Sequence, residues 1–465
     1  MNRQILIGAT LVAAAWAPVV PAQSFQLTGW AEIEHTFRQP GPVSGQFTSG
    51  PVNGVTPPYA GQPIPGFSGM IPSVNAGNFY GLPDNGFGAQ GNSADFVLGI
   101  YEVTPHFKTV GDGTTSRGSV TVNSFTPFSD PNGLLLAGNY IANGPVYNRT
   151  NYYPTGAQIA VDPSIKNGKW LTGADFDVES FARMNDGSIW VGEEFGPYLL
   201  HFNAQGQLLS APVAHPVLRA PQNPAGGTNL PSSRGFESMT RNGDGSKLYL
   251  TTEASINSQT DKRMLEIYEF DTTTEQYTGT SFAYAKDSSD TITGAVNNAS
   301  NIFVTGDMTH VADDRYLIIE RDDFQGPVGS AGYPFQKKIY LIDLSETDEN
   351  GVLEKKLLVD LLDVPDPKDI GGPLVGLPAD KFNFPLQSVE SITLIDEHTI
   401  LVGLDNNYPG GNGRVLGTPD GTEMITIRFD QSLHTMPVPE PETYALMLAG
   451  LGLVAGIARK RSRRA

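Results

Sequence analysis

The chain has 465 residues and no cysteine, which excludes a disulfide framework, a thiolate metal site and a Cys nucleophile. Its 52 Gly and 35 Pro favour many short strands joined by turns over long helices. With 49 acids against 30 bases the net charge is −19, so no nucleic acid is expected as a partner; the acidity suits cation binding and solubility equally.

Taken from the N-terminus, Arg3 precedes an apolar run from Ile5 to Val20, and Val20-Pro21-Ala22 offers small residues to a signal peptidase. Residues 1–22 read as a secretory signal peptide, the run being short for a membrane span. The functional body is expected over 23–437. Phe25–Phe37 alternates as a strand, and residues 40–66 carry seven Pro, six Gly and no charge, the composition of an irregular loop insertion.

From Asn78 the chain settles into a rhythm of strand pairs. An inner strand ends in an acid or amide and an outer strand follows: Phe79–Asn85 with Phe96–Val103, Ile189–Glu194 with Tyr198–Asn203, Leu248–Glu253 with Leu265–Asp271, Tyr316–Asp322 with Lys338–Asp343, and Ile400–Asn406 with Glu423–Asp430. Asn185-Asp186-Gly187-Ser188 and Asn242-Gly243-Asp244-Gly245-Ser246 are hairpin turns before two of the inner strands. Three of the pairs follow a repeated motif, Asp177-Val178-Glu179-Ser180, Phe236-Glu237-Ser238 and Val389-Glu390-Ser391. Strand-end acids fall at 84, 193, 253, 320 and 405, with gaps of 109, 60, 67 and 85. A period of about 50 residues with insertions predicts an all-β propeller of four-stranded blades. About six blades are expected, with five or seven open, because the longest gap has room for a degenerate one.

A propeller brings loops from distant repeats to one mouth. The predicted ring is Asp84, Glu179, Glu193, Glu194, Glu237, Glu253, Glu320, Asp322, Glu390 and Asp405, with Asn85 and Asn406 as neutral oxygens. Crowded carboxylates stay ionised only beside cations. Calcium, which takes six to eight oxygens in flexible geometry, fits such a ring better than zinc or copper, since none of the seven His has paired ligand spacing. Single acids also serve as solvated loop residues or as acceptors for neighbouring amides. Arg183, Arg234, Arg321 and Arg414 lie close to the motifs and are suited either to bind an anion or to pair with carboxylates between blades. There is no Gly-x-Ser-x-Gly element; Ser180, Ser238 and Ser391 suit turn backbone groups, and His310 suits packing.

At the C-terminus, Val438-Pro439-Glu440-Pro441 precedes the apolar run Ala445–Ala458 and a basic cluster of Arg459, Lys460, Arg461, Arg463 and Arg464. A short transmembrane helix with a basic cytoplasmic stop fits this order. Residues 438–465 closely resemble the PEP-CTERM sorting signal of Gram-negative bacteria. The resemblance implies export, transient inner-membrane anchoring, processing by an exosortase, and delivery to the cell surface or extracellular matrix. Loss of the signal peptide and of the tail after Pro441 leaves 24 bases against 48 acids, a more acidic body than the whole chain.

Phe181–Leu209, Gly235-Phe236-Glu237-Ser238-Met239, Tyr316–Asp322 with Lys338–Leu344, Ser388–Asn407 and Asp84-Asn85-Gly86 resemble, in order, segments of bacterial phytase-like proteins with esterase-like activity. The resemblance spans about residues 68–432. It implies a propeller hydrolase of phosphate or related esters, acting as a monomer on a small anionic ester and, by similarity to β-propeller phytases, with calcium. It points to Glu179, Glu193, Glu194, Glu237, Glu253, Glu320, Glu390 and Asp405 as the acidic rim. The expected metal ligands are Asp84, Glu179, Glu193, Glu253, Glu320, Glu390 and Asp405; the expected catalytic groups are Glu193, Glu194, Glu237, Arg321 and Arg414, the arginines replacing the Lys-rich phosphate pocket of a true phytase. The alternative is a non-catalytic surface or matrix propeller with structural calcium. A quinone-dependent sugar dehydrogenase of similar shape is disfavoured, since no His base sits in a suitable motif.

Overall fold

The computed structural model describes residues 24–136, 140, 161–287 and 303–438. The expected signal peptide and nearly all of the sorting tail, with its apolar run, lie outside these residues. Among the described residues no helix is long and apolar enough to cross a membrane, and one α-helix of five residues, Pro163–Asn167, is present.

After strand β1 (Phe25–Ile33), the chain folds into four-stranded antiparallel meanders. The first blade is β2 (Gly69–Pro72), β3 (Phe79–Leu82), β4 (Gly99–His106) and β5 (Gly118–Pro127). The second is β6 (Val178–Arg183), β7 (Ile189–Glu193), β8 (Tyr198–Phe202) and β9 (Val213–Ala214). The third is β10 (Phe236–Arg241), β11 (Lys247–Thr252), β12 (Met264–Asp271) and β13 (Gln276–Ala285). The fourth is β14 (Val304–Ala312), β15 (Arg315–Arg321), β16 (Lys337–Thr347) and β17 (Leu353–Asp360), followed by the small hairpin of β18 (Val364–Pro365) and β19 (Lys381–Phe382). The last blade is β20 (Ser388–Asp396), β21 (Thr399–Asp405) and β22 (Thr422–Phe429), completed by β1, which pairs antiparallel with β22 from Phe25↔Phe429 to Ile33↔Thr422. The N-terminal strand thus closes the ring. A short parallel pairing of β1 with β5, at Ala31↔Gly118 and Glu32↔Ser119, ties the last blade to the first.

The innermost strands β2, β6, β10, β14 and β20 neighbour one another in a closed round, so the described residues form a five-bladed β-propeller. The expectation of about six resolves at the lower of its open values. Along the long gap between the first two blades, the described residues hold β4, β5, a short 3-10 turn at Leu134–Leu136 and the five-residue helix, and no further blade. The strand roles also differ from the sequence reading. The acid-ended strands read as inner ones are the second strands β3, β7, β11, β15 and β21, and the Glu-Ser motifs open the innermost strands.

Apolar residues alternate towards the blade interfaces. Leu317, Ile319, Val389, Ile392, Val402 and Ile425 are buried between the fourth and fifth blades, and Leu82, Val178, Val191 and Leu200 between the first and second. Each such burial is worth about 1.5–3 kcal/mol. Nearest the axis, Met70, Phe181, Met239, Met308 and Ile392 form an apolar collar, all at most 3% exposed.

Candidate functional site: an acidic mouth built in register

At one end of the axis a cavity of about 210 Å³ is lined by nine carboxylates and two arginines. Two structural devices gather them. The first is a β-bulge in the innermost strands. Pairing of β6 with β7 jumps from Val178↔Glu193 to Ser180↔Gly192, leaving Glu179 unpaired; β10 does the same at Glu237, and β20 slips between Ser388 and Ser391, around Glu390. A bulge inserts one residue and re-aims its side chain, here into the mouth. In the fourth blade the slip falls at Gly306 and Asp307; the Asp307 carboxylate accepts the N–H groups of Met308 at 2.8 Å and Ile392 at 3.2 Å and lies outside the mouth.

The second device is the end of each second strand. The residues there are Asp84, Glu194, Glu253, Arg321 and Asp405 in the five blades: Glu194 and Glu253 directly follow the last inner pairing, Arg321 and Asp405 make it, Asp84 lies two residues past it, and all five line the cavity. Two glycines permit the crowding. A Cβ on Gly235 would lie 2.5 Å from Glu194 Cα, and one on Gly66, at φ +124°, would lie 2.3 Å from Asp405 Cα.

Period-two alternation points the preceding residue of the second strand the other way. That residue is Glu193 in the second blade and Glu320 in the fourth, and neither lines the cavity. The Glu193 carboxylate caps its own hairpin, accepting the N–H groups of Phe195 at 2.8 Å, Gly196 at 2.7 Å and Tyr198 at 2.8 Å. Glu320 accepts the Tyr284 hydroxyl at 2.6 Å and the Asp287 N–H at 2.8 Å and pairs with Lys355, away from the axis. Asp322 accepts N–H groups from Phe324, Phe335 and Gln336 and pairs with Lys337 at 3.1 Å. Arg414 is likewise remote: it grips Glu423 at 2.8–3.2 Å and lies over the rings of Trp30 and Phe382. Of the other two arginines, Arg234 lines the mouth and Arg183 lines the opposite end of the axis with His310.

The mouth also contains Asp177 and Asp323, which the predicted ring omits. Asp177 was legible as the residue opening one Glu-Ser motif; Asp323 carried no signal beyond its place after Arg321-Asp322. Arg321, 4% exposed, donates to Glu253 at 2.6 Å, Glu390 at 2.5 Å and Asp323 at 2.7 Å. Arg234 pairs with Glu253 and with Asp323 at 2.8 Å, and its side chain keeps 28% of its surface exposed.

Two cations do not balance nine acids. Burial, reinforced by neighbouring carboxylates, pushes Asp84 up to about 8 and holds Glu179, Glu194, Glu237 and Asp405 well above the ordinary carboxylate range. Asp177 rises to about 7 through burial, against hydrogen bonds that lower it. Burial works against the charge on Arg321, yet Glu390 and Glu253 keep it protonated. Asp177 Oδ1, Glu194 Oε1 and Glu237 Oε1 are buried and accept no hydrogen bond. Six of the nine acids fall into two trios, Asp84–Asp177–Glu179 and Glu194–Glu237–Glu253, each with one carboxylate oxygen per residue within 4.8 Å of the others. All-oxygen donor sets with unsatisfied buried lone pairs fit a hard divalent cation.

Comparison with known proteins follows the same lines. A 239-residue stretch is 25% identical to an uncharacterized secreted protein of Arthroderma benhamiae; it covers 43% of this chain and 45% of that protein, so the chain spans under half the length of this relative. Among solved structures, a GH43 β-1,3-galactosidase aligns over 84% of this chain and 60% of its own at 9% identity and a TM-score of 0.38. The xylan β-1,4-xylosidase of Bacillus halodurans C-125 aligns over 79% and 53% at 12% identity and a TM-score of 0.36. Likenesses this distant leave the fold assignment resting on the strand order above. Residues 437–464 match the PEP-CTERM protein-sorting motif, which marks an exported protein with a tail for exosortase processing. Residues 62–408, well over half the chain and including every acid of the mouth, match the family described as phytase-like, esterase-like activity of phytase, and the chain belongs to that family.

Proposed function

We propose that the protein is an exported hydrolase of phosphate or closely related esters, working with calcium at the acidic mouth. The observation that carries this reading is the surplus of buried carboxylates around one small cavity, with three oxygens that accept no hydrogen bond. Asp84, Asp177 and Glu179 would hold one ion, and Glu194, Glu237 and Glu253 a second. Calcium bound there would neutralise an anionic ester and make an adjacent water more acidic.

The chain's own groups supply the rest. Arg321 is committed to carboxylates and acts as a positioning residue that fixes Glu253 and Glu390. Arg234, paired with Glu253 and Asp323 but keeping 28% of its side-chain surface exposed, is the guanidinium more open to an ester oxyanion. Asp405 lies outside both trios, accepts one N–H from Asn407 at 2.7 Å, and has a raised proton affinity. It is placed to take the proton of the attacking water at its other oxygen.

One observation favours a second reading, a non-catalytic surface propeller with structural calcium. Each trio joins adjacent blades, the first with the second and the second with the third, so bound ions would also clamp the ring. Calcium titration of the exported body, followed by both melting temperature and phosphoester turnover, separates the two. The hydrolase reading expects both to rise together. Raised melting without turnover of any phosphate or carboxylate ester leaves the structural reading, and no response in melting removes the calcium sites.

A further inference from the structure

A second cavity, of about 460 Å³, opens directly beside the acidic mouth and shares Asp84, Gly88 and Asn407 with it. Its character is opposite. Four aromatic residues line it, Phe47, Tyr59, Phe87 and Tyr408, and among the described residues Asp84, at the shared border, is its one charged side chain. Tyr59 stacks against Phe87 at 6.2 Å and meets Tyr408 edge-on at 5.6 Å. Arg38 lies over the Tyr59 and Tyr408 rings at 4.8 and 5.1 Å and donates to the Tyr408 hydroxyl at 2.5 Å, yet does not line the cavity.

One wall comes from the uncharged Pro/Gly segment, and that wall is fastened. Asp95 accepts the N–H groups of Gly45 at 3.0 Å and Gln46 at 2.8 Å. Asn53 donates to the carbonyls of Pro409 at 2.8 Å and Gly410 at 2.9 Å, and Asn412 donates back to Asn53 at 3.0 Å. The family match begins at residue 62, so Phe47, Val52 and Tyr59 lie outside the matched residues. A loop that could have remained solvated instead builds an apolar slot against the reactive end of the molecule.

We infer that this slot receives the alcohol portion of the substrate, and that the substrate is the monoester of a flat, uncharged aromatic alcohol. The inference rests on the ester-hydrolase reading and names its substrate class. Aromatic walls reward a ring by burial and by edge or offset contacts. With no basic group lining it and an acidic neighbour at its border, the slot disfavours a leaving group that carries further phosphates. An ester whose oxyanion sits in the mouth places its alcohol oxygen at the border formed by Asp84 and Asn407, and its ring between Phe47, Phe87 and Tyr408.

The test uses two non-hydrolysable probes on the exported protein in calcium buffer, phenylphosphonate and methylphosphonate, with binding measured by calorimetry. The aryl probe is expected to bind about tenfold or more tightly than the methyl probe. Phe47→Ala should reduce that preference to about twofold. Because Phe47 also packs against buried neighbours, Val52→Asp, at a position 39% exposed, serves as the second variant and should reduce it similarly. Equal affinity for the two probes, absence of phenylphosphonate binding, or a preference unchanged in both variants overturns the inference. An aryl preference lost in the variants, in a protein that turns over no ester, keeps the slot and removes the hydrolase reading; turnover without aryl preference does the reverse.

Discussion

The two ends of the propeller axis are built by the same five strands and could hardly differ more. At the mouth, the bulged position of the innermost strand is Glu179, Glu237 or Glu390 in three blades. Four residues further along, at the other end, the corresponding positions are Arg183, Arg241 and Leu394, with His310 in the fourth blade and Pro72 in the first. Between them lies the collar of Met70, Phe181, Met239, Met308 and Ile392. The far end forms a cavity of about 520 Å³, larger than the mouth, in which Asp307 is the only acid among the described lining residues and is already satisfied by two backbone N–H groups. The collar and the far end follow ordinary rules of burial. The mouth violates them, gathering like charges out of water, and a fold maintains such a violation where function requires it.

If that contrast is right, the largest effect comes from removing the one buried cation that offsets the mouth. Arg321→Met keeps much of the side chain's volume but leaves Glu390 without its guanidinium and Glu253 and Asp323 with Arg234 alone. Loss of about 3–5 kcal/mol is expected in calcium-free buffer, read by chemical denaturation. A loss below about 1 kcal/mol would mean that these acids are not held as buried charges.

A smaller effect should follow from pH. Asp84 and Asp177 have folded proton affinities near 8 and 7, raised from 3.8. The folded protein therefore holds protons that the unfolded chain has released. The stability this linkage provides is full below about pH 4 and is lost as pH rises through 7 to 8. His215 runs the other way: burial lowers it to about 4, so its contribution is complete above about 6.5 and is lost on acidification. Between pH 6.5 and 8.5 the mouth titrates together with Glu193 and Glu32, which burial raises to about 8 and about 7 outside it, and the melting temperature in chelator should fall by about 5 °C. Calcium bound as proposed would substitute for the protons and flatten that slope; a melting temperature independent of pH in chelator would contradict the crowding of the mouth.

How much of this was legible in sequence depended on whether phase or position was being read. The strand-junction acids announce themselves by recurrence, and Asp84, Glu253 and Asp405 lie where the recurrence puts them. In Glu193-Glu194 and Glu320-Arg321, however, two polar residues stand side by side. Strand alternation sends one of each pair into the mouth and the other into its own blade or hairpin. The bulge that sets the phase is a property of pairing with a neighbouring strand, so a linear reading had no means of choosing. It selected Glu193 and Glu320 for the strand-end series, one residue early in both blades. Arg414 was drawn towards the site by its closeness to the motifs in sequence. Its bond to Glu423 is local in sequence, but the packing on Trp30 that fixes it depends on the N-terminal strand joining the last blade, a contact spanning almost the entire body.

The smallest effect is the sharpest test of the comparison. Arg241 occupies the strand position four residues beyond the Glu237 bulge and donates to Asn185 at 2.6 Å; no carboxylate pairs with it among the described residues. The collar, at most 3% exposed, separates it from the mouth. Arg241→Ala removes a charge of the kind Arg321 carries, from the same channel, in the adjacent blade. Because Arg241 is neither deeply buried nor offsetting an acid, stability should change by no more than about 0.5 kcal/mol. Calcium-dependent melting and ester turnover should stay within about twofold of the parent protein. A tenfold loss of turnover would show that the ends are electrostatically coupled through the collar, and the contrast would then belong to one continuous site. An unchanged Arg241 variant beside a crippled Arg321 variant would establish that burial and partners, rather than placement on the axis, decide which arginine the protein depends on.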